Sequence, residues 1–534
     1  MRKVERASGL RAALTAWALA LGSAAPVVAM LAPAPALAQQ FPAFRQALAE
    51  GVAENSALAA FYRETGYEAV WTRAEDAPRR TALVSALSRA AEHGLPAARY
   101  DLAGLIAAFD AVETERDRGL AEARASMTFL QYARDIHSGV LDPHSILPDI
   151  VRELPRPDPL QVMRDFTAGE PVAYIRNLAP TSPEYARLYR ARQELVQAIA
   201  YGGWGPHVQA GSLRPGDTGS QVVALRNRLI AQGFMPRVAS GSYDDLMQQA
   251  VRDFQDSVGI EADGIAGGST IRAINVDPQD RLRNVTVALE RERWLNIPRG
   301  DRHVWVNLVD FVVRIVDFDR VSFETRSVVG ARATQTPEFS DMMEYMEINP
   351  DWTLPRSIIG EMWGALSSGG AGHLELVDGA GRVVPREYID FAAYTPQNLP
   401  FEVRQPPGPG NALGEVKFLF PNPYAIYLHD TPSRSLFARE TRAFSHGCIR
   451  LQDPRDFAYA LLAPQEADPV TYYHAIQRTG RQTRVPLLTP IPVHLVYRTA
   501  YTSVTGRINY REDVYGRDAI LYQALVNAGV EVGA

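Results

Sequence analysis

The chain has 534 residues, 46% of them hydrophobic and 22% charged, which is a globular composition at a length that indicates several domains. Lys and Arg number 55 against 61 Asp and Glu, so the formal net charge is −6 and a bulk basic field for nucleic acid is excluded. We expect no nucleic-acid partner. The one cysteine, Cys448, cannot form an internal disulfide, and composition alone favours a small buried hydrophobe here over a reactive thiol.

Residues 1–38 have the pattern of a cleavable export signal. Basic residues precede an apolar stretch that begins at Ala12 and ends in Ala36-Leu37-Ala38, the small-residue pattern of a cleavage site. We expect the mature chain to begin at Gln39, to keep no stable membrane span and to enter an oxidising compartment. The alternative is an uncleaved membrane anchor, against which Gly22 and three prolines in the apolar stretch argue.

Residues 44–205 are predicted to form a helical scaffold domain. One amphipathic helix is predicted to end just before Gly139. Its predicted apolar face consists of Leu120, Ala123, Met127, Leu130 and Ala133, with His137 at the edge. A second helix is predicted to begin at Ser182-Pro183, a capping residue followed by the proline favoured in the first turn. This part contains no evident catalytic constellation.

Residues 211–276 differ from the preceding segment in sequence pattern, with Gly-Asp and Asp-Gly pairs between short helical patterns. The landmarks are LRPGDTG at 213–219, Val222, Leu225, Leu229, AVRDFQ at 250–255 and DGIAG at 263–267. This segment resembles the small three-helix peptidoglycan-binding domain of bacterial wall enzymes, and the alternative is a generic helical spacer. Phe254 and the leucines are expected to form its small core. Because no exposed aromatic residue is evident for stacking on a sugar, wall binding and mere bracing of the next domain both stay open.

From Arg283 onward the period is predicted to change from helical to alternating, which indicates a β-rich domain over 283–500. Single faces are predicted to carry Val304, Val306 and Leu308, then Phe311, Val313 and Ile315, followed by a turn over 317–320. A Gly- and Pro-rich insertion over 356–411 is interpreted as a lid. Residues 501–534 are predicted to form a strand and helix extension, with a helix over 518–526. The fold class expected for the whole chain is multi-domain α+β.

The candidate catalytic residues lie in two short segments of this domain. Tyr427 and His429 alternate on a predicted strand, so their side chains project from the same face. The second segment is Ser445-His446-Gly447-Cys448-Ile449-Arg450. A thiol attacks as thiolate, and an adjacent imidazole usually removes its proton, so His429 and His446 are both candidate bases. Gly447 permits a sharp turn that would point amide N–H groups at a developing oxyanion.

His429 followed at this distance by Ser445-His446-Gly447-Cys448 and Arg450 resembles the signature of the L,D-transpeptidase (YkuD-type) catalytic domain. The order of parts is similar to the large periplasmic enzymes of Gram-negative bacteria. The resemblance implies that Cys448 is the nucleophile and His429 the general base, while His446 and Gly447 shape the oxyanion site. It further implies substrate-side roles for Tyr427, Ser445 and Arg450, although a structural salt bridge is an equal alternative for Arg450.

The activity implied by the resemblance is formation of 3-3 cross-links between peptidoglycan stem peptides through a thioester. Donor and acceptor stems would be the partners, carbapenems would be covalent inhibitors, and no cofactor or metal would be required. The localisation implied is the periplasm, in association with the wall. Alternatives are an L,D-carboxypeptidase, attachment or release of a lipoprotein at the same site, a thiol endopeptidase of another fold, and a non-catalytic wall-binding scaffold.

Overall fold

The computed structural model describes residues 42–503 and 506–531, and the described residues from Ala43 onward belong to one compact unit. The predicted export signal at 1–38 lies outside the described residues. Within the described ranges, no helix combines the length and the apolar character needed to cross a membrane.

The N-terminal part is helical. Its α-helices are α1 Ala43–Val52, α2 Ser56–Glu64, α3 Ala77–Ser88, α4 Leu102–Asp110, α5 Glu115–Ser138, α6 Pro143–Ile146, α7 Pro159–Ala168, α8 Pro171–Asn177 and α9 Pro183–Ala200. The predicted start of α9 is confirmed, because the Ser182 side chain accepts a hydrogen bond from the Tyr185 N–H and Pro183 occupies the first turn.

Helix α5 ends before Gly139 as predicted, but the prediction of its buried face is wrong in part. Leu120 and Met127 are exposed. Ala123, Leu130 and Ala133 lie in the helical core as predicted, and Ala125, Phe129, Tyr132 and Ile136 lie there as well, so the buried surface is wider than the predicted face. Alanines on several sides of this helix permit close packing on more than one face, so spacing alone did not identify the buried stripe.

Three helices form the segment predicted to resemble a wall-binding domain: α10 Ser220–Ala231, α11 Asp245–Val258 and α12 Gly268–Ile274. Val222, Leu225, Leu229 and Phe254 are all buried in one cluster, which confirms the predicted small core. The buried Arg228 guanidinium donates to the carbonyls of Ile274 and Gly205, and so fixes this segment to the linker that precedes it.

Helix α13, Pro278–Trp294, follows directly, so the prediction that the alternating pattern begins at Arg283 is wrong. The helix is buried on nearly all sides, including four charged residues at 290–293. Arg293 pairs with Glu290 at 3.0 Å and Arg291 with Glu338 at 2.5 Å. Because charged residues are buried in ion pairs, the sequence of this helix lacks the one-sided apolar stripe by which an amphipathic helix is recognised.

A nine-stranded sheet forms the centre of the C-terminal part. Its strands are β1 Arg302–Asn307, β2 Val312–Asp317, β3 Arg320–Gly330, β4 Ser340–Ile348, β9 Val416–Leu419, β10 Leu428–His429, β11 Ala443–Ser445, β12 Ile449–Leu451 and β13 Thr483–Val496. The strand order is β11-β3-β12-β10-β9-β4-β13-β1-β2, and the sheet closes on itself because β2 also pairs with β3. Helices α15 Pro454–Leu462 and α16 Pro469–Gln477 lie between β12 and β13 in the chain. The predicted turn at 317–320 is confirmed, with Phe318 and Asp319 both at positive φ as in a tight hairpin.

The insertion at 356–411 is more ordered than its Gly- and Pro-rich sequence indicates. It contributes helix α14 Arg356–Ser367 and, with the preceding strand, a four-stranded sheet made of β5 Trp352–Thr353, β6 Glu375–Val377, β7 Val383–Val384 and β8 Glu402–Gln405. A separate apolar cluster that includes Ile359, Leu376 and Val403 stabilises it. The chain then ends in a hairpin of β14 Ala500–Thr502 and β15 Ile508–Tyr510, followed by α17 Arg517–Asn527.

Candidate active site

The single cysteine lies in a tight turn between β11 and β12. Gly447 in this turn has a φ of 116°, a conformation that disfavours any residue with a side chain. A Cβ added here would lie 3.0 Å from Ile426 Cδ1. The buried Thr336 hydroxyl donates to the Gly447 carbonyl at 2.7 Å and accepts from the Gly330 N–H at 2.9 Å. The backbone around the cysteine is thus fixed by packing and by hydrogen bonds.

The buried Ser445 side chain stabilises the same turn. Its hydroxyl accepts a hydrogen bond from the Gly447 N–H at 3.1 Å and donates to the Cys448 carbonyl at 2.5 Å. The residue is only 2% exposed. This placement favours an internal role over the substrate contact expected for Ser445. It also directs the Gly447 N–H at a hydroxyl, which leaves the Cys448 N–H as the better oxyanion donor.

Four of the predicted residues share one face of the sheet. Strands β10 and β12 are parallel neighbours, with Leu428 opposite Ile449 and His429 opposite Arg450. Leu428 and Ile449 point into the core, so the alternation of side chains places His429 and Arg450 on the other face. By the same alternation Tyr427 and Cys448 lie on that face as well. The Tyr427 ring meets the His429 ring edge-on, with centroids 5.6 Å apart.

His429 is buried and its ring is fixed by a backbone contact. Nδ1 lies 2.5 Å from the carbonyl oxygen of Asp430, which can only accept, so Nδ1 carries the proton and Nε2 has the free lone pair. Burial lowers the pKa of His429 to about 3, with further lowering by the positive charges of Arg450 and Lys417. The imidazole is therefore neutral at neutral pH.

Cys448 is half-buried, and its Sγ lies 3.6 Å from the Ala425 carbonyl, to which the thiol donates. Burial raises the pKa of Cys448 to about 11, against the opposing influence of hydrogen bonds from Tyr427 and the charge of Arg450. Burial likewise raises the pKa of the Tyr427 hydroxyl. The resting site consequently holds a neutral thiol and a neutral imidazole on the same face of the sheet.

Arg450 is partly buried on the face that carries the thiol. No described carboxylate forms an ion pair with it, and its Nε is buried without a hydrogen-bond partner. Burial lowers its pKa below the ordinary value for a guanidinium, although the group stays charged. The salt bridge that was one of the two interpretations of Arg450 is therefore absent from the described part of the protein. An unpaired guanidinium beside the thiol suits an incoming anion.

The His446 side chain contacts the insertion. Its Nε2 lies 3.0 Å from Oε2 of Glu361, on helix α14, and both side chains are substantially exposed. The insertion thus contacts the turn that carries Cys448. This contact joins residues 85 positions apart, and neither local pattern nor spacing indicated it.

Two more contributors escaped the sequence prediction. The Asp430 carbonyl orients His429, but a backbone oxygen leaves no mark in a side-chain pattern. The Thr336 hydroxyl anchors the Gly447 turn from 111 residues earlier in the chain, a contact that no local pattern indicates. Among the residues with described coordinates, no group of three or more His, Cys, Asp or Glu side chains is arranged to hold a metal ion.

Comparison with known families identifies three segments. Residues 301–482 match the model described as "L,D-transpeptidase catalytic domain". Residues 218–274 match "Putative peptidoglycan binding domain", and residues 56–191 match "Scaffold domain". The first match contains the four residues on the shared face and the Gly447 turn.

Curated relatives agree with these matches. A protein of Haemophilus influenzae named "Putative L,D-transpeptidase" is 29% identical over 257 residues, which cover 47% of this chain and 52% of the relative. The N-acetylmuramoyl-L-alanine amidase CwlL of Bacillus licheniformis is 48% identical over 64 residues, or 12% of this chain and 18% of that protein. The chain thus spans about half the length of the first relative and under a fifth of the second.

Solved structures were also found, at low overall similarity. An L,D-transpeptidase from Xylanimonas cellulosilytica covers 55% of this chain and 98% of its own, at 15% identity and a TM-score of 0.17. An L,D-transpeptidase from Stackebrandtia nassauensis covers 55% and 97%, at 15% identity and a TM-score of 0.22. The family matches, rather than these superpositions, carry the assignment.

Proposed function

We propose that the chain forms 3-3 cross-links between peptidoglycan stem peptides through a thioester on Cys448, a proposal supported by the match of residues 301–482 to the L,D-transpeptidase catalytic domain. The observation that carries the proposal is the common face of Tyr427, His429, Cys448 and Arg450 on the parallel strands β10 and β12. The proposed division assigns the scaffold to 44–205, wall binding to 211–276, catalysis to 283–500 and an extension to 501–534.

In the first half-reaction, Cys448 Sγ attacks the carbonyl carbon of the third stem residue, meso-diaminopimelate, and its proton passes to His429 Nε2. The tetrahedral intermediate then collapses, the amide bond to the terminal D-alanine breaks, and the departing nitrogen takes the proton. In the second half-reaction, the amine of another stem attacks the thioester, forms the new amide and returns the thiol. No cofactor is required by this sequence of steps.

The oxyanion of each tetrahedral intermediate needs donors that are free at the moment of attack. The Cys448 N–H fits that role better than the Gly447 N–H, which is directed at the Ser445 hydroxyl. His446 and Gly447 then contribute by the shape of the turn. Because the thiol and the imidazole rest in their neutral forms, we propose that proton transfer accompanies sulfur attack rather than preceding it.

Arg450 is proposed to bind a carboxylate of the donor stem. Its unpaired, partly buried guanidinium supports this role over a structural one. An Arg450→Lys substitution keeps the charge but loses the planar fork, so we expect the donor KM to rise about tenfold with little change in kcat. A donor whose carboxylate is converted to an amide should show no such rise, whereas an equal effect on both donors would contradict the role.

The insertion at 356–411 is proposed to cover the donor and to exclude water, which favours an amine over hydrolysis. The contact between Glu361 and His446 supports this placement. Carbapenems are proposed as covalent inhibitors that acylate the same sulfur. Location in the periplasm in association with the wall is part of the proposal.

The test is incubation of the purified protein with a disaccharide-tetrapeptide and analysis of the products by mass spectrometry. A cross-linked dimer would support transpeptidation, and a tripeptide alone would replace it with an L,D-carboxypeptidase. A new amide to a lipoprotein lysine would indicate attachment of that protein instead. Absence of any Cys448-dependent product would leave only a wall-binding scaffold.

Three substitutions test the assignment of the nucleophile and of the base. Cys448→Ser should abolish turnover and the carbapenem adduct, and His429→Ala should reduce acylation by at least about 100-fold because general-base catalysis is lost. His446→Ala is the matched control, since its ring faces Glu361. Greater loss with His446→Ala than with His429→Ala would contradict the assignment of the base.

A further inference from the structure

A cavity of about 320 Å³ opens where three parts of the chain meet, far along the chain from Cys448. Helix α9 forms one wall, the wall-binding segment forms the second, and the hairpin of β14 and β15 forms the third. Four aromatic residues line it, of which Phe254 is buried. The other three come one from each source: Trp204 from the linker after α9, Phe234 from the loop after α10, and Tyr510 from β15.

Each of these aromatic side chains is partly buried and partly open. Trp204 and Tyr510 pack on one side against a core cluster that includes Leu195 and Leu282. Phe234 meets the buried Phe254 edge-on, with ring centroids 5.2 Å apart. Each ring is therefore packed against the protein on one side and exposes apolar surface to the cavity on another.

Polar groups stand at the edge of the same cavity. Glu194 on α9, Gln232 after α10 and Arg507 before β15 all line it. The Arg507 guanidinium carbon lies 4.8 Å from the centroid of the Phe234 ring, and one of its nitrogens lies 3.5 Å from Asp253. Within the described residues, neither the Trp204 indole N–H nor the Tyr510 hydroxyl donates a hydrogen bond. Aromatic surface and free polar groups thus occur together.

The three walls are tied to one another. Arg511, next to Tyr510, donates to the Ser257 carbonyl at the end of α11 at 3.0 Å and to Asp310 of the catalytic part at 2.7 Å. The Arg281 guanidinium stacks 4.1 Å from the centroid of the Tyr510 ring. A cavity built in this way is preformed, as small-molecule sites usually are.

We propose that this cavity binds an N-acetylated amino sugar of the peptidoglycan glycan strand, an inference that rests on the wall-directed function proposed above. A pyranose ring has an apolar face of C–H groups, which suits an aromatic platform, and an edge of hydroxyl and acetamido groups, which suits Glu194, Gln232 and Arg507. The volume lies at the lower end of ligand sites and fits a short saccharide.

The wall-recognition site is consequently composite. The segment 218–274 supplies Phe234 and Gln232, but Trp204 and Tyr510 come from outside the segment that matches the peptidoglycan-binding family. This accounts for the lack of an evident exposed aromatic residue within the segment. It also fixes a bound glycan strand relative to the catalytic domain through Arg511.

The experiment measures co-sedimentation of the full chain with purified peptidoglycan, and binding of glycan strands from which the stem peptides have been removed. Trp204→Ala should weaken both by about tenfold because one stacking surface is lost. Tyr201→Ala is the matched control, since Tyr201 is 86% exposed in the same linker and does not line the cavity. Glu194→Gln, at an exposed position, should weaken binding about threefold without any effect on folding.

Acylation of Cys448 by a carbapenem is measured in the same preparations. Retained acylation with lost glycan binding would support the proposal, whereas loss of acylation in the unsubstituted chain would count against the catalytic function alone. Equal binding by the Trp204→Ala, Glu194→Gln and Tyr201→Ala variants would overturn the cavity assignment. Binding to free stem peptides but not to peptide-free strands would overturn the choice of a sugar as the ligand.

Discussion

Thr336 is the residue through which the Gly447 turn can be loosened without touching the reacting groups. Its buried hydroxyl connects the Gly447 carbonyl to the Gly330 N–H. Thr336→Val keeps the shape of the side chain and removes the oxygen. Both backbone groups would then lack a partner in a site that is closed to water.

The loss of stability follows from those two contacts. An unsatisfied buried donor or acceptor costs about 1–3 kcal/mol, so Thr336→Val should lower the free energy of unfolding by about 2–5 kcal/mol. Thr336→Ser keeps the oxygen and loses one buried methyl group, for which about 1 kcal/mol is expected. The difference between the two variants isolates the hydrogen bonds from the packing.

The functional consequence is measured separately. A displaced nucleophile costs about 10- to 100-fold in the rate of acylation, and kcat should fall more than KM rises because donor contacts are intact. Urea denaturation gives the stability, and stopped-flow acylation by a carbapenem gives the rate at a temperature where both variants are folded. Equal stability and equal acylation rates for Thr336→Val and Thr336→Ser would refute the reasoning.

Three further predictions concern charge and backbone. Burial lowers the pKa of three histidines, to about 3, about 3 and about 4, in His93, His429 and His494. The unfolded chain binds those protons near pH 6.5, so stability is complete above that pH and falls below it, by about 2 kcal/mol for each histidine at pH 5. Asp518, whose pKa is raised to about 6, offsets little of this, and a urea midpoint that is the same at pH 7 and pH 5 would contradict the prediction. Glu338→Gln should cost about 3–5 kcal/mol in urea unfolding because Arg291 and Arg517 each lose one buried charged partner, whereas the exposed Glu361→Gln should cost under about 1 kcal/mol. Gly447→Ala should cost about 1–3 kcal/mol from its positive φ and should slow acylation, and an acylation rate equal to that of the unsubstituted chain would show that the turn tolerates a side chain.

Local rules were sufficient wherever one residue dictates one backbone feature or one face. Ser182-Pro183 fixed the start of α9, and the alternation of Tyr427 and His429 placed both side chains on one face. The small core around Phe254 followed from helical spacing because that segment buries only one side of each helix. In these cases the local sequence pattern is sufficient to predict which residues are buried and where an element begins.

The failures share a different cause, which is pairing between distant segments. Helix α13 was missed because its buried charges are satisfied by residues such as Glu338 and Arg498, which lie far away in the chain. The contact of Glu361 with His446 depends on how the insertion folds over the sheet. The internal contacts of Ser445 were not predicted because its partners are backbone atoms of its own turn, and no side-chain motif distinguishes such a contact from one to substrate.

The two pKa shifts at the site act together on the resting protein. A raised pKa keeps Cys448 as a thiol, and a lowered pKa keeps His429 unprotonated, so a preformed thiolate–imidazolium pair is disfavoured from both sides. Oxidation and alkylation of cysteine follow the thiolate fraction, so such a site is protected from small reagents while it is empty. The proton must instead move when a donor carbonyl is in place and the Cys448 N–H can stabilise the oxyanion, since only then is the charge that forms on oxygen compensated. Reactivity is in this way confined to the complex with substrate, because partial burial keeps the thiol protonated until the donor is bound.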